Sequence, residues 1–237
     1  MVKEFKGKLI MRIKRTPTVE SFRFKLEEKL NFKPGQFAQV IFDQANRQNK
    51  ELNKYLSFSS SPLNGYVEFT KRLSQSLFTK KLLELSTFED VLFKAPLGDC
   101  VLEEKYKKIG FLIGGIGITP VVSIIEFIVR KELPIDVRLL YSNKSDNDIA
   151  FKNELDLFSI RHKSVKVIYS VTECEPQDKV CIFGPINKDM VKKHIVDFAE
   201  RMFYIFGPPR MVGAMKGVCL ESGCKADSIK TESFIGY

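Results

Sequence analysis

Three short stretches of this 237-residue chain carry residue types at spacings suited to chemistry. The first, Gly114-Gly115-Ile116-Gly117-Ile118-Thr119-Pro120, lies between an apolar run, Ile109 to Ile113, and a second apolar run that ends at Val129. A strand that enters a glycine turn and leaves it as a helix offers backbone N–H groups and the positive end of the helix dipole to a phosphate. Pro120 suits the first turn of that helix, and Thr119 the cap before it. The spacing is not G-x-G-x-x-G, so a plain tight turn explains the glycines as well as a ligand does. Near the C-terminus, Gly207-Pro208-Pro209 repeats the plan between the apolar Met202–Phe206 and a helix from about Arg210; a proline-stopped loop is the alternative. The third stretch, KYLSFSSSP from Lys54 to Pro62, alternates a cation, apolar residues and hydroxyls. With period two, Lys54, Leu56, Phe58 and Ser60 share one face, and Tyr55, Ser57 and Ser59 the other. That strand either presents hydroxyls inward or is an edge strand with a solvated serine face.

Composition narrows the classes. Lys and Arg number 38 against 29 Asp and Glu, a net charge of +9, which points to an anionic ligand or partner. The cations are dispersed rather than gathered with aromatics on one face, so nucleic-acid binding is not expected. Cys100, Cys174, Cys181, Cys219 and Cys224 are an odd number with no C-x-x-C pair, which argues against a disulfide framework, structural zinc or a cysteine-ligated cluster. With His162 and His194 alone, a histidine-rich metal site is not expected either. The run Ile109 to Val129 has the length of a membrane span, and Gly110 and Gly114 even have the spacing of a small-residue helix contact. Its central glycines, Thr119-Pro120 and Glu126 break it instead into strand, turn and helix. The opening MVKEFKGKLIM holds no secretory apolar region, so a cytoplasmic address with no membrane is expected.

The elements that must position these stretches fall into two rhythms. Up to about Glu103, short strands follow one another (GKLIMRIKRT, SFRFKLE, GQFAQVIFD, YLSFSS, GYVEFT, DVLFKA), with one helical face in SLFTKKLLEL. This predicts a six-stranded antiparallel β-barrel with one helix over residues 1–105. From Lys107, strands alternate with helices, which predicts an α/β parallel-sheet nucleotide-binding domain over residues 106–237.

Taken together, PGQF (Pro34 to Phe37), KYLSFSSSP, GGIGITP and FGPPRMV, with the ending ESFIGY, resemble the ferredoxin:NADP reductase superfamily of flavin reductases, in the expected order along the whole chain. The family's flavin-binding strand reads Arg, any residue, Tyr, Ser. Lys54 stands here for the Arg and Leu56 for the Tyr, with Tyr55 between them and Ser57 and Phe58 after. The resemblance implies that Lys54 meets the flavin phosphate and that Ser57 acts catalytically beside the flavin N5. Thr70 and Lys71 fall with the cofactor-binding residues, and Ser76 and Thr79 resemble the helix start that holds the pyrophosphate. Gly114, Gly115, Gly117, Thr119 and Pro120 resemble the loop under the nicotinamide nucleotide, which Gly207 and Pro208 close. Phe206 stands where the family often has Cys. Phe234 and Tyr237 resemble the aromatics that cover the flavin; for Phe234, packing of a C-terminal strand fits equally. FAD is implied rather than FMN, with NADPH or NADH as substrate. The +9 charge adds the expectation of an acidic ferredoxin or flavodoxin as acceptor. A reductase of free flavin, quinone or another small acceptor is the alternative, as is an electron-transfer subunit of a larger complex.

Overall fold

The computed structural model describes residues 1–234. The first half is built from β1 (Lys3–Thr16), β2 (Val19–Leu26), β3 (Phe37–Ile41), β4 (Asn53–Ser57), β5 (Val67–Arg72) and β6 (Asp90–Leu97), with α1 (Leu77–Glu84) between the last two strands. They form one antiparallel sheet in the order β4-β3-β6-β1-β2-β5. Register shifts at Leu9/Met11 and Lys14/Thr16 bend the long β1 against β2, as bulges do, and curl the sheet into a barrel. Phe22, Phe24, Phe58, Phe69, Phe78 and Phe93 fill its interior. The two ends of the sheet meet at a single Phe58–Phe69 bridge and at Ser59 N–H donating to Glu68 O at 2.8 Å. Away from that bridge, β4 and β5 share no ladder.

The second half comprises β7 (Lys108–Gly114), α2 (Ile118–Arg130), β8 (Asp136–Asn143), α3 (Lys152–Arg161), β9 (Val165–Val171), β10 (Cys181–Phe183), α4 (Lys188–His194), β11 (Met202–Gly207), α5 (Pro209–Ser222) and β12 (Ile229–Ser233). Its sheet is parallel throughout, in the order β10-β9-β8-β7-β11-β12. β7 is buried on both faces from Ile109 to Ile113, the mark of a central parallel strand. Chain order reverses between β7 and β11, so the loops after these two strands open on one crevice, where ligands of such sheets bind. A short 3-10 turn, Gly115–Gly117, precedes α2. The helix therefore starts two residues before Pro120, and Thr119 lies within its first turn instead of capping it. The Thr119 hydroxyl donates to Ile116 O at 3.2 Å. Among the described residues no helix is long and apolar enough to cross a membrane.

The halves are joined by a buried polar seam centred on Glu68, whose side chain is 3% exposed. Arg15 reaches Glu68 at 3.1 Å and Arg23 reaches it at 2.7 Å, while Ser59 Oγ donates to it at 3.0 Å. Arg15 also stacks over Phe151 at 4.3 Å and bonds Glu154 of α3, so it belongs to both domains. Removing a buried ion-pair partner costs up to about 3–5 kcal/mol, and without Glu68 the buried Arg15 keeps only the partly exposed Glu154. Glu68→Ala should destabilise the fold by that order, read as a lower urea midpoint. Lys81→Ala, which breaks an exposed pair with Glu84, should change stability by less than about 0.5 kcal/mol.

Candidate flavin and nucleotide sites

On the barrel, KYLSFSSSP is not a solvated serine face: Ser57, Ser59, Ser60 and Ser61 are all buried. Tyr55 points outward, its ring edge-on to Phe37 at 5.8 Å, while Leu56 packs against the barrel core. Two residues expected at the cofactor turn elsewhere. The Phe58 ring is fully buried in the barrel, 4.1 Å from Phe32, because it closes the sheet against Phe69. The Thr70 hydroxyl is held between Ser21 at 2.6 Å and Ser59 at 2.8 Å, inside the polar seam.

Lys54 lies on β4 and Lys71 on β5, the strands at the two ends of the sheet. Burial, and then the neighbouring Lys54 ammonium, lower the proton affinity of Lys71. Two cations whose charges oppose one another favour an anion near both. At the start of α1 the Ser76 hydroxyl accepts from Thr79 N–H at 3.3 Å and meets Thr79 Oγ1 at 3.0 Å, with Ser74 Oγ 3.1 Å from the same atom. A helix N-terminus dressed with hydroxyls and carrying no acidic residue in its first turn suits a phosphate. The cation pair, these hydroxyls and the buried Ser57 fit the flavin dinucleotide that the family resemblance implies.

In the second domain, a cleft of about 450 Å³ lies at the carboxyl ends of the strands. Gly114, Gly115 and Pro208 line it together with Arg72, Asn143 and Met211. Gly115 has φ +51°, a left-handed conformation that glycine adopts at no steric cost. Its carbonyl accepts from Tyr141 Oη at 3.2 Å. Gly117 and Pro120 are buried beneath the turn, and Gly207, at φ +151°, brings the backbone against Met211. Asn143 stands at the carboxyl end of β8, beside the Tyr141 hydroxyl, and lines the cleft there. Arg72 comes from the barrel: its guanidinium lies 3.5 Å from where a side chain on Gly115 would begin, so β5 presents Lys71 to one site and Arg72 to the other. Arg72 and Asn143 were not among the expected cofactor residues, and Met211 lies in the FGPPRMV stretch without having been singled out; for Asn143 the available signal was its position at the carboxyl end of β8. Phe234 packs against the core of this domain, and its N–H donates to Gly207 O at 2.8 Å, in keeping with a packing role. Tyr237 lies outside the described residues.

The oxidoreductase NAD-binding domain family matches residues 111–217. NADH-cytochrome b5 reductase 1 of Mortierella alpina is 31% identical over 226 residues, covering 92% of this chain and 74% of that protein. The chain belongs to the ferredoxin:NADP reductase superfamily. Plasma membrane-associated coenzyme Q6 reductase PGA3 of Saccharomyces cerevisiae is 31% identical over 218 residues, 89% of this chain and 69% of that protein. The cytochrome b5 reductase domain of Ulva prolifera nitrate reductase superposes with a TM-score of 0.82 at 21% identity, over 97% of each chain, a likeness of fold. This superfamily member is an NAD(P)H-dependent flavoprotein reductase. The relatives correct one expectation. They are named for cytochrome b5 and for coenzyme Q6, and one for the plasma membrane, which overturns an acidic ferredoxin or flavodoxin as partner and removes the ground for excluding a membrane. Net charge alone does not identify a partner when its cations are dispersed.

The Lys54–Lys71 pair sets a pH dependence. A phosphate bound beside Lys71 raises its proton affinity again, so the pKa in the complex exceeds that in the free protein. Flavin affinity is then complete below the free value and declines as pH rises through it. Titration of the apoprotein with FAD between pH 7 and 10.5 should show affinity falling at the alkaline end, and Lys71→Arg should flatten the fall. Lys54→Ala should weaken FAD at pH 7 by about 1.5–3 kcal/mol, the worth of a charge-assisted bond; an unchanged dissociation constant would remove Lys54 from the phosphate site.

Proposed function

We propose that this reductase takes electrons from NADH and delivers them to a haem protein of the cytochrome b5 type. The observation that carries the reading is the 31% identity over 92% of the chain to a protein named for that reaction. The alternation of Lys71 and Arg72 on one strand supports the geometry it requires, two cofactor sites opening towards each other at the domain boundary. When bound, FAD supplies the chemistry that accepts an electron pair and releases electrons singly.

The protein contributes placement. Lys54, Lys71, Ser76 and Thr79 hold the pyrophosphate end, and Ser57 offers a hydroxyl at the reacting edge. The Gly115–Gly117 turn, Arg72 and Asn143 seat the nicotinamide nucleotide. Fixing distance and angle between two ring systems is worth several orders of magnitude in rate without any general base.

NADH is favoured over NADPH at the carboxyl end of β8. Lys144, the cation in reach of a 2′-phosphate, is paired with Glu173 at 2.6 Å, and Asp146 and Asp148 follow it in the same loop. Carboxylates near that position accept a ribose hydroxyl and repel a phosphate. A second reading, reduction of a quinone, is supported by the coenzyme Q6 relative at 31% identity.

Steady-state turnover of the FAD-loaded protein with NADH and NADPH, using soluble cytochrome b5 or a short-chain quinone, separates these readings. NADH should exceed NADPH in kcat/KM by at least about tenfold, the equivalent of 1.4 kcal/mol. Cytochrome reduction should exceed quinone reduction. Turnover with the quinone and none with the cytochrome would transfer the assignment to the second reading.

A further inference from the structure

The serine run does more than line a flavin. Its first half carries Lys54 and Ser57, assigned above to the flavin, whereas its second half is fastened to the other domain. Ser123 of α2, fully buried, donates from Oγ to Ser60 O at 2.7 Å. Glu126, one turn further along α2, accepts from Ser61 N–H at 2.9 Å and from Asn64 Nδ2 at 3.1 Å. Arg130 closes the group by bonding Asn64 and reaching Glu126 at 3.4 Å. Ser123 lies four residues after Thr119, so it stands one turn above the nucleotide loop on the same rigid helix. Ser60 lies three residues after Ser57 on the other side. A path of seven residues and one hydrogen bond thus connects the hydroxyl assigned to the flavin with the turn assigned to the nicotinamide.

We propose that Ser123 and Glu126 are positioning residues of hydride transfer: by pinning α2 to the Ser60-Ser61 backbone they fix the nucleotide loop relative to the flavin strand. The proposal rests on the NAD(P)H reductase assignment. Loss of proper distance by about 1 Å costs on the order of 100-fold in a reaction governed by placement. Neither residue touches a cofactor in this scheme, so substitution should alter the reaction step and leave ligand affinity alone. Chemistry at position 126 requires an acceptor for Ser61 N–H, which glutamine retains and alanine lacks.

The test compares the FAD-loaded wild type with Glu126→Ala, Glu126→Gln and Ser123→Ala. Stopped-flow reduction by NADH should show the limiting rate of flavin bleaching reduced about 10- to 100-fold in Glu126→Ala, with the NADH dissociation constant and flavin stoichiometry within twofold of wild type. Glu126→Gln should restore the rate to within about threefold. Amide hydrogen exchange of the flavin-free proteins supplies an independent reading: Ser61 N–H should exchange at least tenfold faster in Glu126→Ala and at the wild-type rate in Glu126→Gln. A wild-type limiting rate despite faster exchange at Ser61 would overturn the proposal, since the contact would then be adhesion without control of placement. If Glu126→Ala fails to fold, Ser123→Ala, which deletes one oxygen, carries the same comparison of rate against affinity. Failure of wild-type flavin to bleach with NADH or NADPH would instead strike the reductase assignment itself.

Discussion

A buried carboxylate is tolerated only where hydrogen bonds and opposite charge replace the water it has lost. Glu68 meets that condition through Arg15, Arg23 and Ser59, and much of the molecule's organisation follows from the arrangement. Its backbone carbonyl receives Ser59 N–H at the point where the ends of the curled sheet meet, so satisfying its side chain and closing the barrel involve the same pair of residues. Arg15 cannot serve Glu68 without also lying over Phe151 and beside Glu154, which brings the second domain to a fixed face of the first. The Thr70 hydroxyl is drawn into the same seam, which leaves its neighbour Lys71 on the opposite face of β5, towards Lys54.

That arrangement explains which parts of the site were legible in the residues alone. Glycine turns after apolar runs carry local signals, because a left-handed φ or a close backbone approach restricts the residue at that position, and both loops stood where such signals placed them. Period two grouped Leu56 and Phe58 with Lys54 and Ser60, and the first two do pack in the barrel core, but periodicity relates residues to one another and cannot say how far along a face the interior extends. Phe58 lies in the core, and that placement depends on the closing contact with Phe69, eleven positions further along the sequence. Arg72 was missed for the same reason: its reach into the nucleotide cleft depends on the docking of two domains.

The short β10 and the polar β12 show a different limit. Cys181–Phe183 has three residues, too few for any period to declare itself, and Ile229–Ser233 is a sheet-edge strand with no buried side chain, so burial leaves little pattern in it. Both exist because neighbours β9 and β11 present backbone groups that require partners. The acceptor was less legible still, since its recognition belongs to a surface rather than to spacing along the chain.

The apolar run from Ile109 to Val129 resolves into two elements that are each buried on more than one side. β7 is the central strand of its sheet, and α2 packs both on that sheet and across the domain boundary on the barrel. A helix covered on two sides has little solvated surface on which to place charges, so its composition approaches that of a membrane span while its length does not. The polar residues it keeps are then informative. Ser123 and Glu126 are spaced one turn apart on the side that meets the barrel, and each bonds the Ser60-Ser61 backbone. In a helix so thoroughly apolar, polar groups are retained where the surrounding backbone would otherwise lack partners, and here that backbone belongs to the strand bearing the flavin-site serine.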